Sequence, residues 1–287
     1  MFWLFPSLLT ALLESGKDVL SKKKLLKFDE YIVAWSLNVF SLLIVAPLLI
    51  FFKIPSLTFS FWSALFVSGI INIITTILYM KAIKYSDLSI TVPLLAFTPL
   101  FLLITSPILI KEYPNIIGAL GVFLIITGSY LLNVNQLKKG LFEPIKSLLK
   151  NRGSKYMLII ALLWSISSIF DKIAVVNSSP VIYIVITNIF VTLSLTPIVI
   201  RRVNSNKHFF HQLPSLIPIG MLNGVKLVIQ MWALTLTLVA YVIAIKRLSG
   251  LFGVLMGYFI FKEKRIKERF IGALVMIIGA LLISFSG

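Results

Sequence analysis

The stretch KEYPNIIGALGVFLIITG at 111–128 recurs as KEKRIKERFIGALVMIIG at 262–279, and this duplication decides the fold. In both copies a Lys-Glu pair follows an apolar run, and glycines stand at equivalent places further along. Matches at an offset of 150 or 151 residues extend the repeat over almost the whole chain: Asn38 with Asn188, Pro47 with Pro197, Gly69 with Gly220, Asn72 with Asn223 and Ala82 with Ala233. The chain is therefore two copies of one unit.

The composition is typical of a membrane protein. Of the 287 residues, 59% are hydrophobic and only 13% are charged, which is too little polar surface to cover a soluble globule. Ten apolar stretches reach the roughly 20 residues that a membrane-spanning helix needs. They are numbered helix 1 to helix 10 and lie at 2–21, 30–52, 59–84, 87–110, 114–133, 155–177, 180–202, 212–236, 238–261 and 266–286.

The predicted fold class is an all-α integral membrane protein with ten transmembrane helices, arranged as two inverted five-helix repeats. The inversion follows because five is odd, so the second repeat begins on the opposite side of the membrane from the first. The repeats are predicted at 1–133 and 155–287, and a polar linker at 134–154 joins them. Apolar residues among the lysines of this linker predict a short amphipathic segment on the membrane surface.

The formal net charge of +17 does not indicate nucleic-acid binding, because the distribution of the charge follows the membrane. Basic residues crowd the connections after helices 1, 3, 5, 7 and 9, whereas the even-numbered connections hold Lys53, Lys111 and Lys172. Positive residues stay in the cytoplasm, so this count places both termini outside. The first stretch lacks the basic start of a cleavable signal and is expected to remain as helix 1.

The repeated segments resemble the drug/metabolite transporter superfamily in its EamA-type arrangement. The resemblance spans essentially the full length and is carried by YMKAIKYS at 79–86 and by two matching sets of residues: Glu112, Gly121 and Gly128, then Ala233, Glu263, Gly272 and Gly279. It implies a multi-pass protein of the cell membrane with both termini in the cytoplasm, opposite to the charge count. It also implies transport of a small solute, which in that superfamily is an amino acid, sugar phosphate, nucleotide sugar or cationic drug.

Three basic residues inside the spans are the first candidates for a substrate site. Lys226 lies in helix 8, and Lys246 and Arg247 lie near the middle of helix 9. Each central charge costs about 2.5–3.5 kcal/mol, so these residues must face a cavity or partners. The equivalent positions in the first repeat hold the uncharged residues Thr75, Leu95 and Ala96. Because scaffold residues recur in both repeats and these charges do not, the charges are candidates for binding the substrate.

These cations predict an anionic ligand. An arginine guanidinium grips a carboxylate or phosphate at two oxygens, and a lysine adds a compact charge beside it. The Lys246-Arg247 pair also resembles a Lys-Arg pair on the corresponding helix of the triose-phosphate translocators, and that resemblance implies a phosphate site. The alternative is that both side chains pair internally with acids on helices 1 and 6.

A polar stripe on helix 8 predicts which face lines the pathway. Asn223, Lys226 and Gln230 fall at i, i+3 and i+7, so they share one face. The equivalent stripe of helix 3 holds Asn72 and Tyr79. Hydrogen bonding between helices is the alternative role for the two asparagines. The predicted substrate site therefore comprises Lys226, Lys246, Arg247, Gln230, Asn223, Asn72 and Tyr79.

Helix 1 supplies acidic groups to the same region. Glu14 and Asp18 are four residues apart and share a face. They are predicted either to carry protons for coupled transport or to be fixed counter-ions of the central cations. Asp171 and Lys172, near the end of helix 6, are expected to reach the membrane interface.

Two further features are expected to serve the scaffold. Glu112 and Glu263 each precede a helix, where a carboxylate complements the helix dipole. Gly250, Gly253 and Gly257 make one side of helix 9 small, which permits close packing inside the subunit or a homodimer face.

The sequence thus predicts a secondary transporter of a small organic metabolite, anionic or zwitterionic, that works by alternating access. The alternatives are a proton-coupled exporter of amino acids or cationic drugs, and a lipid flippase. The substrate and the lipid bilayer are the expected partners. No enzyme activity, cofactor or metal site is expected, since cysteine and a phosphate-binding glycine loop are absent and His208 and His211 lack a third ligand nearby.

Overall fold

The computed structural model describes residues 2–52, 55–86, 92–132, 152–203, 212–253, 256 and 266–286. The helices, labelled α1 to α10 in chain order, are Leu4–Leu25, Glu30–Val39 continued by Leu42–Leu48, Phe59–Tyr85, Phe97–Ile110, Ile116–Leu131, Arg152–Val176, Pro180–Val203, Ile217–Leu236, Val239–Lys246 and Ile266–Ser286. Short 3-10 segments adjoin α2, α4 and α8, at Leu49–Phe51, Val92–Ala96 and Leu213–Leu216.

The predicted all-α fold of ten helices is confirmed. Within the described part of the chain, α1 does not qualify as an apolar span, because Glu14, Lys17 and Asp18 interrupt its apolar run. Among the described residues, five helices are long and apolar enough to cross a membrane by themselves, at Glu30–Phe51, Phe59–Tyr85, Arg152–Val176, Pro180–Val203 and Leu213–Leu236.

The outer surface of the helices is apolar, as contact with lipid requires. Large side chains that point outward include Trp62, Phe66, Ile104, Phe123 and Leu193. Soluble proteins rarely expose contiguous apolar surface of this extent. The protein is therefore an integral membrane protein, and the charged residues near the middle of its helices are buried.

The two repeats interlock through their helices. The first helix of each repeat packs against the third helix of the other, so α1 contacts α8 and α6 contacts α3. The second, fourth and fifth helices pack against their own counterparts, α2 on α7, α4 on α9 and α5 on α10. This pairing is what a two-fold axis between the repeats produces.

The repeated glycines lie where α5 and α10 cross. A Cβ atom on Gly121 would lie 2.6 Å from the carbonyl oxygen of Gly279, and one on Gly128 would lie 2.6 Å from that of Gly272. Gly121 is the repeat equivalent of Gly272, and Gly128 is that of Gly279, so the two contacts are related by the same axis. The backbones approach so closely that only glycine fits at these places.

A second symmetric contact joins the repeats at α3 and α8. A Cβ on Gly69 would lie 2.7 Å from a ring carbon of Phe190 in α7, and one on Gly220 would lie 2.3 Å from the Cβ of Phe40. These are equivalent pairs with the repeats exchanged. Each repeat therefore places a phenylalanine against a glycine of the other.

The described glycines after α9 do not pack closely. A Cβ on Gly250 would lie 3.8 Å from Leu132 Cδ1, and one on Gly253 would lie 3.4 Å from Ser15 Oγ, which are ordinary contacts. The homodimer face stays a prediction. Several other predictions concern positions outside the described residues: Gly257, Glu263, His208, His211 and most of the linker at 134–154.

Gly128→Ala is expected to lower the Tm of the purified protein by several degrees, because the new methyl group would overlap the backbone of α10. Overpacking of this kind costs about 1–3 kcal/mol. Thermal unfolding in detergent measures the effect, and Gly250→Ala is the matched control that should leave the Tm unchanged. Equal tolerance of both substitutions would contradict a glycine-mediated crossing of α5 and α10.

Candidate functional site

A cavity of about 120 Å³ lies between the repeats, lined by residues of α1, α2, α3, α6, α7, α8 and α9. Glu14 of α1 is part of its wall. Asp18 does not line the cavity and is buried behind it. The structure brings all seven predicted substrate residues to the cavity wall: Asn72, Tyr79, Asn223, Lys226, Gln230, Lys246 and Arg247.

Glu14 is the common partner of three lysines. Its Oε1 accepts a hydrogen bond from Lys17 Nζ at 2.7 Å, while Lys226 Nζ and Lys246 Nζ lie 3.1 and 3.7 Å from Oε2. The Glu14 side chain is only 3% exposed. In such a low-dielectric place one carboxylate offsets the mutual repulsion of the cations. This geometry fits the counter-ion role for Glu14.

Asp18 belongs to the same cluster through Lys17. Its Oδ1 lies 3.3 Å from Lys17 Nζ. The same ammonium lies over the ring of Tyr79, 5.0 Å from the centroid. Lys17, which the sequence analysis did not select, therefore connects two carboxylates and an aromatic face.

Arg247 is the least satisfied cation of the cavity. Its guanidinium lies over Trp164, with Cζ 5.6 Å from the ring centroid, and Lys246 Nζ lies 5.5 Å from the same ring. Among the described residues its buried Nε has no hydrogen-bond partner, and no carboxylate forms an ion pair with it. The alternative of internal pairing thus applies to Lys246 but not to Arg247, whose guanidinium keeps unused donors.

The prediction that Asp171 reaches the membrane interface is wrong. Asp171 is 7% exposed in α6 and lines the cavity. Its Oδ1 accepts hydrogen bonds from the hydroxyls of Ser68, Ser167 and Tyr183. These donors, from α3, α6 and α7, replace water around the carboxylate and allow it to be buried.

A signal for this cluster is present in the sequence. Trp164, Ser167 and Asp171 fall at i, i+3 and i+7, which is the spacing of the polar stripe on helix 8. All three line the cavity. The spacing that marks the cavity face of helix 8 therefore marks that of helix 6 as well.

Comparison with known proteins shows the family to which this chain belongs. The model of the EamA-like transporter family matches residues 1–134 and 151–285, one match for each repeat. The chain belongs to the EamA-like transporter family. A solved structure described only as "Crystal structure of protein" superposes with a TM-score of 0.71 over 99% of this chain and 96% of its own chain, at 11% identity, which shows a shared fold. A search of the curated proteins found no match.

Membership of the EamA-like family confirms the resemblance and the two-repeat architecture. It identifies the chain as a membrane transporter of small molecules, which fits the expectation that it is not an enzyme. In transporters built from inverted repeats, the solute site lies where the repeats meet. The cavity around Glu14 and Arg247 is in that place.

The helix conformation changes at equivalent positions in the two repeats of this EamA-like transporter. α9 ends at Lys246, and the amide of Arg247 bonds to the carbonyl of Ala244, three residues back, at 3.0 Å. In the first repeat, the 3-10 segment Val92–Ala96 ends at the equivalent of Arg247, and α4 begins at the next residue. An interrupted helix at the repeat interface, such as α9, is typical of substrate sites in secondary transporters.

The predicted polar stripes face the cavity and also contact neighbouring groups. Gln230 Oε1 accepts a hydrogen bond from Lys246 Nζ at 2.9 Å. Asn223 Nδ2 donates to the backbone carbonyl of Leu37 in α2 at 3.1 Å. Asn72 Nδ2 donates to Ser68 Oγ on its own helix at 3.0 Å. Asn72 Nδ2 also donates to Ser167 Oγ of α6 at 3.4 Å. For both asparagines, the lining and inter-helix roles therefore coexist.

Glu112 does not cap its own helix. Asn115 does so, because its Oδ1 accepts a hydrogen bond from the Gly118 amide at 2.8 Å. Glu112 pairs with Lys172 of α6 and accepts a hydrogen bond from the Val239 amide at 2.9 Å. The prediction that Glu112 complements the dipole of helix 5 is wrong: it complements that of α9 in the other repeat.

Glu14→Gln is expected to lower the Tm strongly, because three lysines lose their shared counter-ion. Breaking a buried ion pair from one side costs about 3–5 kcal/mol. The measurement is thermal unfolding of the single variant and of the double variant Glu14→Gln with Lys226→Met. The double variant should recover part of the loss, since one uncompensated cation is gone. A Tm unchanged by Glu14→Gln would show that the lysines do not depend on it.

Proposed function

We propose that the protein is a secondary transporter that carries a small organic anion or zwitterion across the cell membrane by alternating access. The observation that supports this most strongly is a surplus of positive charge beside the cavity. Four buried cations stand there against three buried carboxylates: Lys17, Lys226, Lys246 and Arg247 against Glu14, Asp18 and Asp171.

Surplus positive charge in a membrane interior favours the binding of an anion. Leaving an ion buried and uncompensated costs several kcal/mol. A carboxylate or phosphate in the cavity would accept two hydrogen bonds from the Arg247 guanidinium. Lys226 and Lys246 would attract the same anion, because both line the cavity. The anion thus binds where the protein's own carboxylates leave charge unbalanced.

The arrangement of the repeats supports alternating access. Because α1 packs on α8 and α6 packs on α3, a movement of one pair against the other exposes the cavity first to one side and then to the other. The sequence holds no phosphate-binding glycine loop, so a solute gradient or exchange is the proposed source of energy.

The two alternative functions, a proton-coupled exporter and a lipid flippase, predict different experimental results. A proton-coupled exporter of amino acids or cationic drugs would respond to a pH gradient and depend on Glu14 and Asp18. A lipid flippase would bind phospholipid headgroups. Sites for drug-sized ligands measure about 300–1,000 Å³, so a cavity of about 120 Å³ favours a smaller solute.

Thermal stabilisation tests the anion proposal. The panel holds small carboxylates, phosphorylated sugars, amino acids and quaternary amines. A ligand that binds the folded state at a hundred-fold excess over its Kd stabilises it by about 2.7 kcal/mol. We expect an anion or zwitterion to raise the Tm of the natural protein and to lose this effect in Arg247→Gln.

Arg202→Gln is the matched control for this experiment. Arg202 pairs with Asp29 at 2.6 Å and its side chain is 45% exposed, away from the cavity. This control should keep the ligand response. A Tm shift that survives Arg247→Gln, or a response to quaternary amines alone, overturns the anion proposal. The transporter proposal is contradicted if a ligand binds the protein but is not carried across the proteoliposome membrane down its own concentration gradient.

A further inference from the structure

We propose that Asp171 and the hydroxyl groups around it form a binding site for a compact monovalent cation in the wall of the cavity. The site draws its oxygens from three helices: Ser68 of α3, Ser167 and Asp171 of α6, and Tyr183 of α7. It is separate from the lysines and the arginine that surround Glu14.

The geometry of the oxygens supports this site. Ser68 Oγ lies 3.0 Å from Ser167 Oγ and 2.9 Å from Tyr183 Oη. Each hydroxyl oxygen has two lone pairs, so it can turn its proton away and present an oxygen to a cation. Carboxylate and hydroxyl oxygens are the ligands that hard cations prefer. Three side chains close to one carboxylate thus supply most of a coordination shell.

The charge of Asp171 is the second support. Glu14 and Asp18 each have a lysine as ion-pair partner, whereas Asp171 forms no ion pair within the part of the chain that the structure describes. Lys246 attracts it only from a greater distance. A buried carboxylate without a cation is costly. One monovalent cation compensates a single carboxylate, while a divalent ion would add to the positive surplus of the cavity.

The open oxygen of Asp171 shows where the cation binds. Every hydrogen bond that the described residues make to this carboxylate reaches Oδ1. Oδ2 therefore remains available, and the residue lines the cavity together with Ser167 and Tyr183. A cation bound to Oδ2 and the adjacent hydroxyl oxygens would face the space that the solute occupies.

The part that this cation plays in transport rests on the proposed function. A cation at Asp171 and an anion at Arg247 share one cavity, so each strengthens the binding of the other. The cation is either an alkali ion that moves with the solute or the ammonium group of the solute itself. In both cases Asp171 binds a compact positive charge. The experiment distinguishes an alkali ion from an ammonium group of the solute.

The experiment measures the Tm in choline chloride and then replaces choline by sodium, lithium, potassium or methylammonium at constant chloride. Because no organic anion is present, the result is independent of the test of the proposed function. We expect at least one small cation to raise the Tm by several degrees in a saturable manner. Asp171→Asn, which keeps the size of the side chain, should abolish this shift.

Two further variants define the site. Ser68→Ala keeps the carboxylate but removes one ligand oxygen, and should weaken cation binding roughly ten-fold. Asp29→Asn is the matched control, because Asp29 pairs with Arg202 outside the cavity, and it should respond like the natural protein. A response to alkali ions identifies a coupling ion, and a response to methylammonium alone identifies an ammonium group of the solute.

The absence of any shift relative to choline would overturn the cation site, as would a shift that Asp171→Asn retains. The coupling between the two sites has its own readout. Saturating cation should lower the apparent Kd for the anion in the natural protein and leave it unchanged in Asp171→Asn. Independent binding of cation and anion would refute the coupling while leaving the anion site intact.

Discussion

The ion pairs around Glu14 are the constraint on which the rest of the structure depends. Lys17 of its own helix, Lys226 of α8 and Lys246 of α9 all approach one buried carboxylate. Without it, three ammonium groups in a low-dielectric interior would repel one another. Because α1 carries these charges, its charged face must lie inside, against helices of both repeats. The cavity exists at this meeting point.

The scaffold is symmetric, but the cavity is not. The glycine contacts of α5 with α10 recur with the repeats exchanged. At the cavity the equivalent positions differ in chemistry. Glu14 contacts Lys226 at 3.1 Å, whereas their equivalents, Trp164 and Thr75, form a neutral hydrogen bond at 3.0 Å. The cavity therefore has an ion pair at one of these two equivalent places and a neutral hydrogen bond between an aromatic ring and a hydroxyl at the other.

The fold was predictable because its signals are present in the sequence itself: apolar length and charge are local, and the glycines recur at an offset of 151 residues. The substrate-site residues were predictable because a charge inside a span must face inward. Asp171 was assigned to the membrane interface although it shares one face of helix 6 with Trp164 and Ser167. Its contacts with Ser68 and Tyr183 could not be predicted, because these residues approach it only after folding. The partner of Glu112 was missed for the same reason: no local pattern indicates that its carboxylate binds the start of α9.

Anion binding beside Glu14 in the cavity can be observed by anomalous diffraction from crystals grown with a small brominated carboxylate. We expect a bromine peak inside the cavity, with the carboxylate within hydrogen-bond distance of Arg247 and Lys246. Bromine peaks found only outside the cavity, at saturating ligand, would contradict it.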